Sequence, residues 1–157
     1  MAGQQIIIGI AAFLHNIFTV VWVGGLVVFA ITLLPAAKTV FGNNLQTRSL
    51  MNAVLKRHRI WVYISIAGLF ITGIIQARLT PAFSGLMRFD ALYSTLTSIK
   101  HILTFVMIGI ALYRSLIVTR KEENATPKQY QMSLVLILIN ALLGVMVLLF
   151  SGLMAAL

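Results

Sequence analysis

Four long apolar runs limit what this chain can fold into. They cover residues 6–34, 60–77, 94–118 and 132–157 of the 157-residue sequence. A membrane-spanning helix needs about 20 apolar residues at a rise of about 1.5 Å each. Because a backbone in lipid must satisfy its hydrogen bonds internally, each run is predicted to be a transmembrane α-helix. The expected fold class is therefore all-α, a single-domain integral membrane bundle of four helices in an up-down arrangement.

The composition supports a lipid environment. Only 10% of the residues are charged, 60% are hydrophobic, and the mean hydropathy is +0.99. Soluble domains carry about 25% charged residues, which they need to cover a water-exposed surface. We therefore expect a multi-pass protein of the cell membrane. The chain has no cysteine, which excludes disulfides, thiolate metal sites, iron–sulfur clusters and covalent c-type haem.

The net charge of +9 does not indicate nucleic-acid binding, because the basic residues lie in connections or near the ends of apolar runs. There they set the topology and meet anionic lipid head groups. Nine of the twelve fall on one side of the predicted bundle: Lys38, Arg48, Lys56, Arg57, Arg59, Arg114, Arg120, Lys121 and Lys128. Three fall on the other: Arg78, Arg88 and Lys100. The positive-inside rule then predicts both termini on the outer side.

Two further features concern the surface of the predicted bundle. The middle connection, residues 79–93, holds an amphipathic stretch that predicts a short helix at the outer interface: Phe83, Leu86, Met87 and Phe89. Small residues within the spans let helix backbones approach closely: Gly24, Gly25, Gly68, Gly73, Gly109, Gly144 and Gly152. Such faces also suit a homo-oligomer or a larger membrane complex. Asn140, one turn before Gly144, is predicted to bond across helices.

His15 and His101 are the candidate functional residues. Ionisable side chains are costly inside a bilayer and usually face a bundle interior or a cavity. Counted from the outer ends of the first and third runs, the two residues lie about 13 Å and about 10 Å deep. Those helices are diagonal in an up-down bundle, about 13 Å apart when neighbours are 8–10 Å apart. A haem iron between two imidazoles fits that gap, whereas a bare copper ion would require the helices to lean together.

The neighbours of these histidines are consistent with a porphyrin slot. Phe18 and Trp22 follow His15 on one helix face and are predicted to line it. Thr19 and Thr104 each lie one turn beyond a histidine, where a hydroxyl could bond the second ring nitrogen of a ligating imidazole. The alternative needs no cofactor: each histidine bonds a nearby threonine, Asn16 or a carbonyl and simply packs.

Other polar residues have weaker signals. Lys100 is a candidate catalytic residue, able to protonate a substrate or pair with a haem propionate, although a lysine near a helix end commonly snorkels to the head groups. Arg78 lies on the same outer side and could meet a propionate or lipid. His58, between Arg57 and Arg59, is predicted to be part of a solvated basic cap. The acids lie only in connections, which excludes paired-carboxylate hydrolysis: Asp90, Glu122 and Glu123.

Several of these residues resemble a known pattern. The first helix of the copper-resistance protein D (CopD) domain is similar to a run that contains Leu14-His15, Trp22, Gly24-Gly25-Leu26 and Leu34-Pro35. Lys100 and the apolar helix that ends near Tyr113-Arg114 resemble the third helix of that domain. The chain is also similar to the HemJ-type protoporphyrinogen oxidases, which have a His in helix one and a Lys in helix three. That resemblance implies His15 as a haem ligand and Lys100 as its functional partner.

Three functions follow from the sequence. The first is a membrane protein that binds haem b between His15 and His101, for electron transfer or oxidation at the outer side with a redox partner or substrate. The CopD resemblance implies the second, copper transport or handling through His15. The third is a structural subunit of a larger membrane complex, in which both histidines are buried hydrogen-bonding groups.

Overall fold

The computed structural model describes residues 2–79, 85, 87–118 and 126–156. Within these ranges all regular secondary structure is helical, and four helices are long and apolar enough to cross a membrane. We label them α1 to α4. The first, α1, joins Ala2–Thr19, Val20–Gly24, Gly25–Val28, Phe29–Leu33 and Leu34–Phe41 without a break. The others are α2 (Leu45–Leu79), α3 (Leu92–Tyr113, continued by Arg114–Val118) and α4 (Pro127–Ala155). The predicted all-α class, with four long apolar helices, is confirmed.

α1 continues through Pro35, where the sequence predicts its end. A proline inside a helix lacks one N–H and crowds the carbonyl four residues before it. Here a π-helical turn, Phe29–Leu33, immediately precedes the α segment that contains Pro35 in its first turn. The wider π turn changes the local hydrogen-bond pattern, and a first-turn proline has no intrahelical N–H bond to lose. The helix therefore reaches Phe41 and ends at Gly42, whose φ is +75°.

α2 begins at Leu45, well before the predicted start of the second span at residue 60. Asn44 caps it, since its side-chain oxygen accepts the backbone N–H groups of Gln46 at 3.0 Å and Thr47 at 3.2 Å. Thr47, Met51 and Leu55 then bury one face. This packed stripe and the cap keep the basic stretch helical, so the prediction that it forms a connection was wrong.

The remaining boundaries agree with the sequence to within a few residues. α4 begins with a reciprocal cap, in which the Thr126 hydroxyl and the Gln129 side chain each bond the other's backbone N–H. In the predicted interfacial helix, Phe83 and Leu86 lie outside the described residues, and residues 87–91 are not helical. Arg88 is held instead on α3, because its N–H donates to Ser98 Oγ at 3.0 Å and its carbonyl accepts from that hydroxyl at 2.9 Å.

The helices pack in antiparallel pairs. Along α1 and α2, numbers rise on one helix as they fall on the other: His15 meets Thr72, the Phe18 ring covers Gly68, and His58 lies against Gly25. α3 and α4 pair in the same way, with Thr97 beside Met154 and Met107 beside Gly144. Val23 of α1 also meets Gly144. A hydrogen bond between Tyr63 and Ser115 joins α2 to α3.

The apolar core lies where these contacts converge. Its fully buried large side chains come from all four helices: Trp22, Met51, Met107 and Ile137.

The glycines do not all allow the close helix approach that the sequence predicts. A Cβ on Gly144 would lie 2.7 Å from Val23 Cγ1, so this position requires glycine, whereas Gly109 and Gly152 have no such neighbour within 4 Å. Asn140 is buried at 3% exposure, and its side-chain oxygen has no partner among the described residues.

Candidate functional site

The ring orientation of His15 is set by α2. Its Nδ1 lies 2.8 Å from the Thr72 hydroxyl oxygen. That hydroxyl has a single hydrogen, which it donates to the Gly68 carbonyl at 2.7 Å. Because a helical threonine commonly donates to the preceding turn, we assign the hydroxyl hydrogen to the Gly68 carbonyl and the ring hydrogen of His15 to Nδ1. In the neutral ring, Nε2 then presents a lone pair.

His101 reaches the same state through its own helix. Its Nδ1 lies 2.7 Å from the Thr97 backbone carbonyl oxygen, which can only accept. Nδ1 is again the donor, and Nε2 holds the lone pair. A hydrogen bond from the second ring nitrogen to a fixed acceptor is the usual support of a metal-bound imidazole.

Three ionisable residues of α1 and α3 influence one another. The charges of Lys100 and His101 act on His15. All three side chains are partly buried. The similar depth of the two histidines in the membrane stays a prediction.

The predicted threonine partners are not the observed ones. The Thr19 hydroxyl donates to the His15 backbone carbonyl at 2.8 Å, and the Thr104 hydroxyl to that of Lys100 at 2.9 Å. Both follow the bond that helical threonines commonly make to the preceding turn, which competes with any bond to a neighbouring ring. Thr72 was missed as a ring partner, whereas the Thr97 carbonyl is the kind of partner that the cofactor-free alternative predicts for His101. Thr72 is a polar residue in the last third of the second apolar run, and that position was the available signal.

The aromatic residues that were predicted to line a porphyrin slot have other positions in the structure. Trp22 is 1% exposed and belongs to the core, and the Phe18 ring packs into the space above Gly68. Phe105, one turn beyond His101 on α3, is 53% exposed. Periodicity placed these residues on the same helix faces as the histidines, but neighbouring helices decided which part of each face is covered.

Two further polar residues follow Thr72 toward the end of α2. Gln76 lies one turn beyond Thr72, and its side-chain nitrogen is buried without a partner among the described residues. Arg78, predicted to meet a propionate, is exposed near the end of α2. Lys100 makes no ion pair within the part of the chain that the structure describes. Gln76 was not singled out from the sequence, although an amide inside an apolar span is a recognisable signal.

The donor set suits a haem iron better than a bare ion. A porphyrin supplies four nitrogens and asks the protein for one or two axial ligands, whereas a bare ion commonly takes three or four from side chains. Among the described residues no group of three or more His, Asp or Glu side chains could hold a metal. Two imidazoles with free Nε2 atoms and a nearby lysine fit the first requirement.

A second buried polar position, at His58, lies further along α1 and α2 from the His15 contact, toward the start of α2. The sequence predicts a solvated cap, but the ring is partly buried against α1. A Cβ built on Gly25 would lie only 2.1 Å from His58 Cε1, so the ring fills the notch that the glycine leaves. The ring also faces the Trp22 backbone carbonyl, within the π-helical turn Val20–Gly24. The adjacent glycines of α1 were the signal for this contact.

Comparisons with protein-family models, curated proteins and solved structures find no match for this chain.

Proposed function

We propose that this protein binds haem b between the Nε2 atoms of His15 and His101, for electron transfer or oxidation at the outer side of the cell membrane. The observation that carries the proposal is that the Nδ1 atom of each ring lies at hydrogen-bond distance from an oxygen, which leaves Nε2 of both rings for another partner. The resemblance to the HemJ-type proteins, which includes His15 and Lys100, supports His15 as a haem ligand.

A bound haem would supply one-electron redox chemistry. The chain's own residues would hold and tune it. Thr72 and the Thr97 carbonyl orient the two rings, and accepting their Nδ1–H bonds raises the basicity of the ligating nitrogens. Lys100 would pair with a propionate or deliver a proton to a substrate, which would make the protein an oxidoreductase. Arg78, at the outer end of α2, would meet a propionate only at the edge of the membrane.

The proposed topology is an up-down four-helix bundle with both termini outside. It follows from the nine-to-three distribution of basic residues and from the antiparallel contacts of α1 with α2 and of α3 with α4. The site then lies in the outer half of the bilayer, open to a redox partner or substrate on that side.

The deciding experiment is an absorption spectrum of the purified protein, reconstituted with haem if needed. A Soret band with the features of two axial histidines is expected, and His15→Ala and His101→Ala should each weaken haem binding or shift the band. His58→Ala, outside the proposed ligand pair, is the matched control and should leave the band unchanged. A protein that takes up no haem when it is supplied would refute the proposal.

Copper handling is the second candidate, favoured by the same free Nε2 atoms, because imidazole nitrogen is a good copper ligand. Metal analysis and copper-dependent growth separate it from haem binding. Equal copper accumulation with and without the protein would exclude transport.

The third candidate, a structural subunit of a larger complex or of a homo-oligomer, is favoured by the Thr72 bond to His15. In that case substitution of both histidines would weaken assembly without changing any spectrum.

A further inference from the structure

A cleft of about 260 Å³ opens between α1 and α2. α1 contributes its lining between Gly24 and Leu33, and α2 contributes Val54 and His58. Every lining residue belongs to these two helices, and Val28 in the α1 wall is 57% exposed. The cleft therefore opens away from α3 and α4. In a membrane-spanning protein, a surface that no other helix covers meets lipid.

The lining suits an apolar occupant. Apart from His58 its side chains are apolar, and the His58 ring packs into the notch at Gly25 with its Nε2 buried. These residues therefore offer an occupant van der Waals contact and no accessible hydrogen-bonding side chain. A cavity of about 150 Å³ holds the six carbons of benzene, so the cleft can hold an acyl-chain segment of roughly ten carbons.

Helix periodicity identifies the rim of the cleft on α2. Val54 and His58 face α1. Met51 and Leu55, on one flank of these two residues, are buried in the core. The opposite flank is exposed, and because the cleft opens away from the core, this flank borders the opening. It consists of Leu50, Arg57 and Trp61.

Arg57 gives this rim a positive charge. Its side chain is exposed and has no ion pair within the part of the chain that the structure describes. Helical side chains lean toward the N-terminus of their helix, so we expect the guanidinium to extend toward the level of Val54. A guanidinium binds two phosphate oxygens with a fork of parallel N–H groups. An apolar cleft with an arginine at its rim therefore matches an amphiphile with an anionic head.

We propose that the cleft binds an acyl chain of an anionic phospholipid whose phosphate is held by Arg57. This residue lies just before the apolar run 60–77, where a head group meets the hydrocarbon layer. With the proposed topology it faces the cytoplasmic leaflet, which carries the anionic lipids. A zwitterionic lipid could fill the same cleft, but its own ammonium group would weaken the attraction to Arg57. The proposal does not depend on haem.

Native mass spectrometry of the full-length protein can measure the affinity for this lipid. Phosphatidylglycerol and phosphatidylcholine with the same acyl chains are added in detergent, and phosphatidylglycerol should bind more tightly. Arg57→Gln should weaken its binding about fivefold, the usual effect of one basic residue near an anionic surface. Lys128→Gln is the matched control, because it removes one charge from an exposed residue at the start of α4, outside the cleft. Its affinity should equal that of the wild type.

A second pair of variants tests the apolar part of the site. Val28→Trp places a large side chain in the cleft and should abolish the tight binding, whereas Val20→Trp, 65% exposed and outside the lining, should not. Soluble glycerol phosphate, which has no acyl chain, should not compete. Equal affinities for the two lipids, equal effects of Arg57→Gln and Lys128→Gln, undiminished binding by Val28→Trp, or competition by glycerol phosphate would each overturn the proposal.

Discussion

At the scale of single residues, one hydroxyl hydrogen decides which ring nitrogen His15 presents. With the Thr72 hydrogen assigned to the Gly68 carbonyl, Thr72 accepts from His15 Nδ1 and the imidazole presents Nε2. His101 is set by a backbone carbonyl instead of a side chain. A substitution can therefore remove the hydrogen-bond partner of His15, which is a side chain. It cannot remove that of His101, which is a backbone carbonyl.

Thr72→Val should weaken haem binding about tenfold or more, the usual effect of removing the hydrogen-bond partner of a metal-bound histidine. Valine keeps the size and shape of threonine but leaves Nδ1–H without an acceptor. Haem titration followed at the Soret band measures the change. Thr19→Val is the control, because that hydroxyl bonds only the His15 backbone carbonyl. Equal affinities for the two variants would contradict the assigned role of Thr72.

Asp90, in the connection before α3, offers a pH-dependent test. The Ser94 hydroxyl donates to its carboxylate at 2.6 Å and, with the Arg88 ion pair, holds the pKa of Asp90 below its usual range. A carboxylate whose pKa is lowered on folding stabilises the folded state at a pH above the unfolded pKa, about 3.9. That stabilisation is lost as the pH falls through the pKa of the folded state. Ser94→Ala should therefore raise the pKa of Asp90 in a carboxylate NMR titration, whereas Thr95→Ala should not. An unchanged pKa in Ser94→Ala would show that the hydroxyl has no such effect.

At the scale of helices, contact between α1 and α2 depends on glycines that accept a neighbour's ring. Phe18 covers Gly68, and His58 fills the notch at Gly25. Without a hydrophobic driving force between helices in lipid, such close packing supplies much of the association energy. The pairing therefore depends on which glycines meet a side chain and not on how many the span contains.

Gly68→Ala should destabilise the protein by about 1–3 kcal/mol, the usual range for overpacking. The new Cβ would lie 2.3 Å from the Phe18 ring. Gly152→Ala, with no neighbour within 4 Å, should be neutral or stabilise the helix by up to about 1 kcal/mol. Thermal unfolding in one detergent compares the two directly. Equal effects would indicate that helix propensity, and not the Phe18 contact, controls the stability.

At the scale of the whole molecule, the starts of α2 and α4 lie side by side. The Arg48 guanidinium, near the start of α2, lies 5.2 Å from the ring centre of Tyr130, near the start of α4. Cation–π contacts of this kind join a charge to an aromatic ring at the edge of an apolar region. Both helices therefore begin at the same end of the bundle.

Cysteine labelling tests the orientation, since the native chain has no cysteine. Leu45→Cys, at a position that is 79% exposed, should react with a membrane-impermeant maleimide only after the inner side is opened. Ala156→Cys, at the exposed end of α4, should react in intact cells. Labelling of Leu45→Cys in intact cells would reverse the proposed topology.

Much of the fold could be predicted from the sequence, because hydropathy and backbone hydrogen bonding act locally. Four apolar runs of sufficient length are bound to become helices in lipid, and the depths of His15 and His101 follow from a fixed rise per residue. Helix ends were predicted less well. A cap at Asn44 and a π turn before Pro35 extended two helices beyond their apolar runs.

The sequence by itself determined the helical class, the four long apolar helices and the presence of one histidine in each of the first and third apolar runs. Only the tertiary structure decided what surrounds them. It placed Thr72 on the His15 ring, gave Trp22 and Phe18 packing roles, and packed the His58 ring, predicted to be solvated, into the notch at Gly25. The physical reason is that periodicity defines the faces of one helix, whereas burial and hydrogen-bond partners depend on which neighbouring helix covers each face.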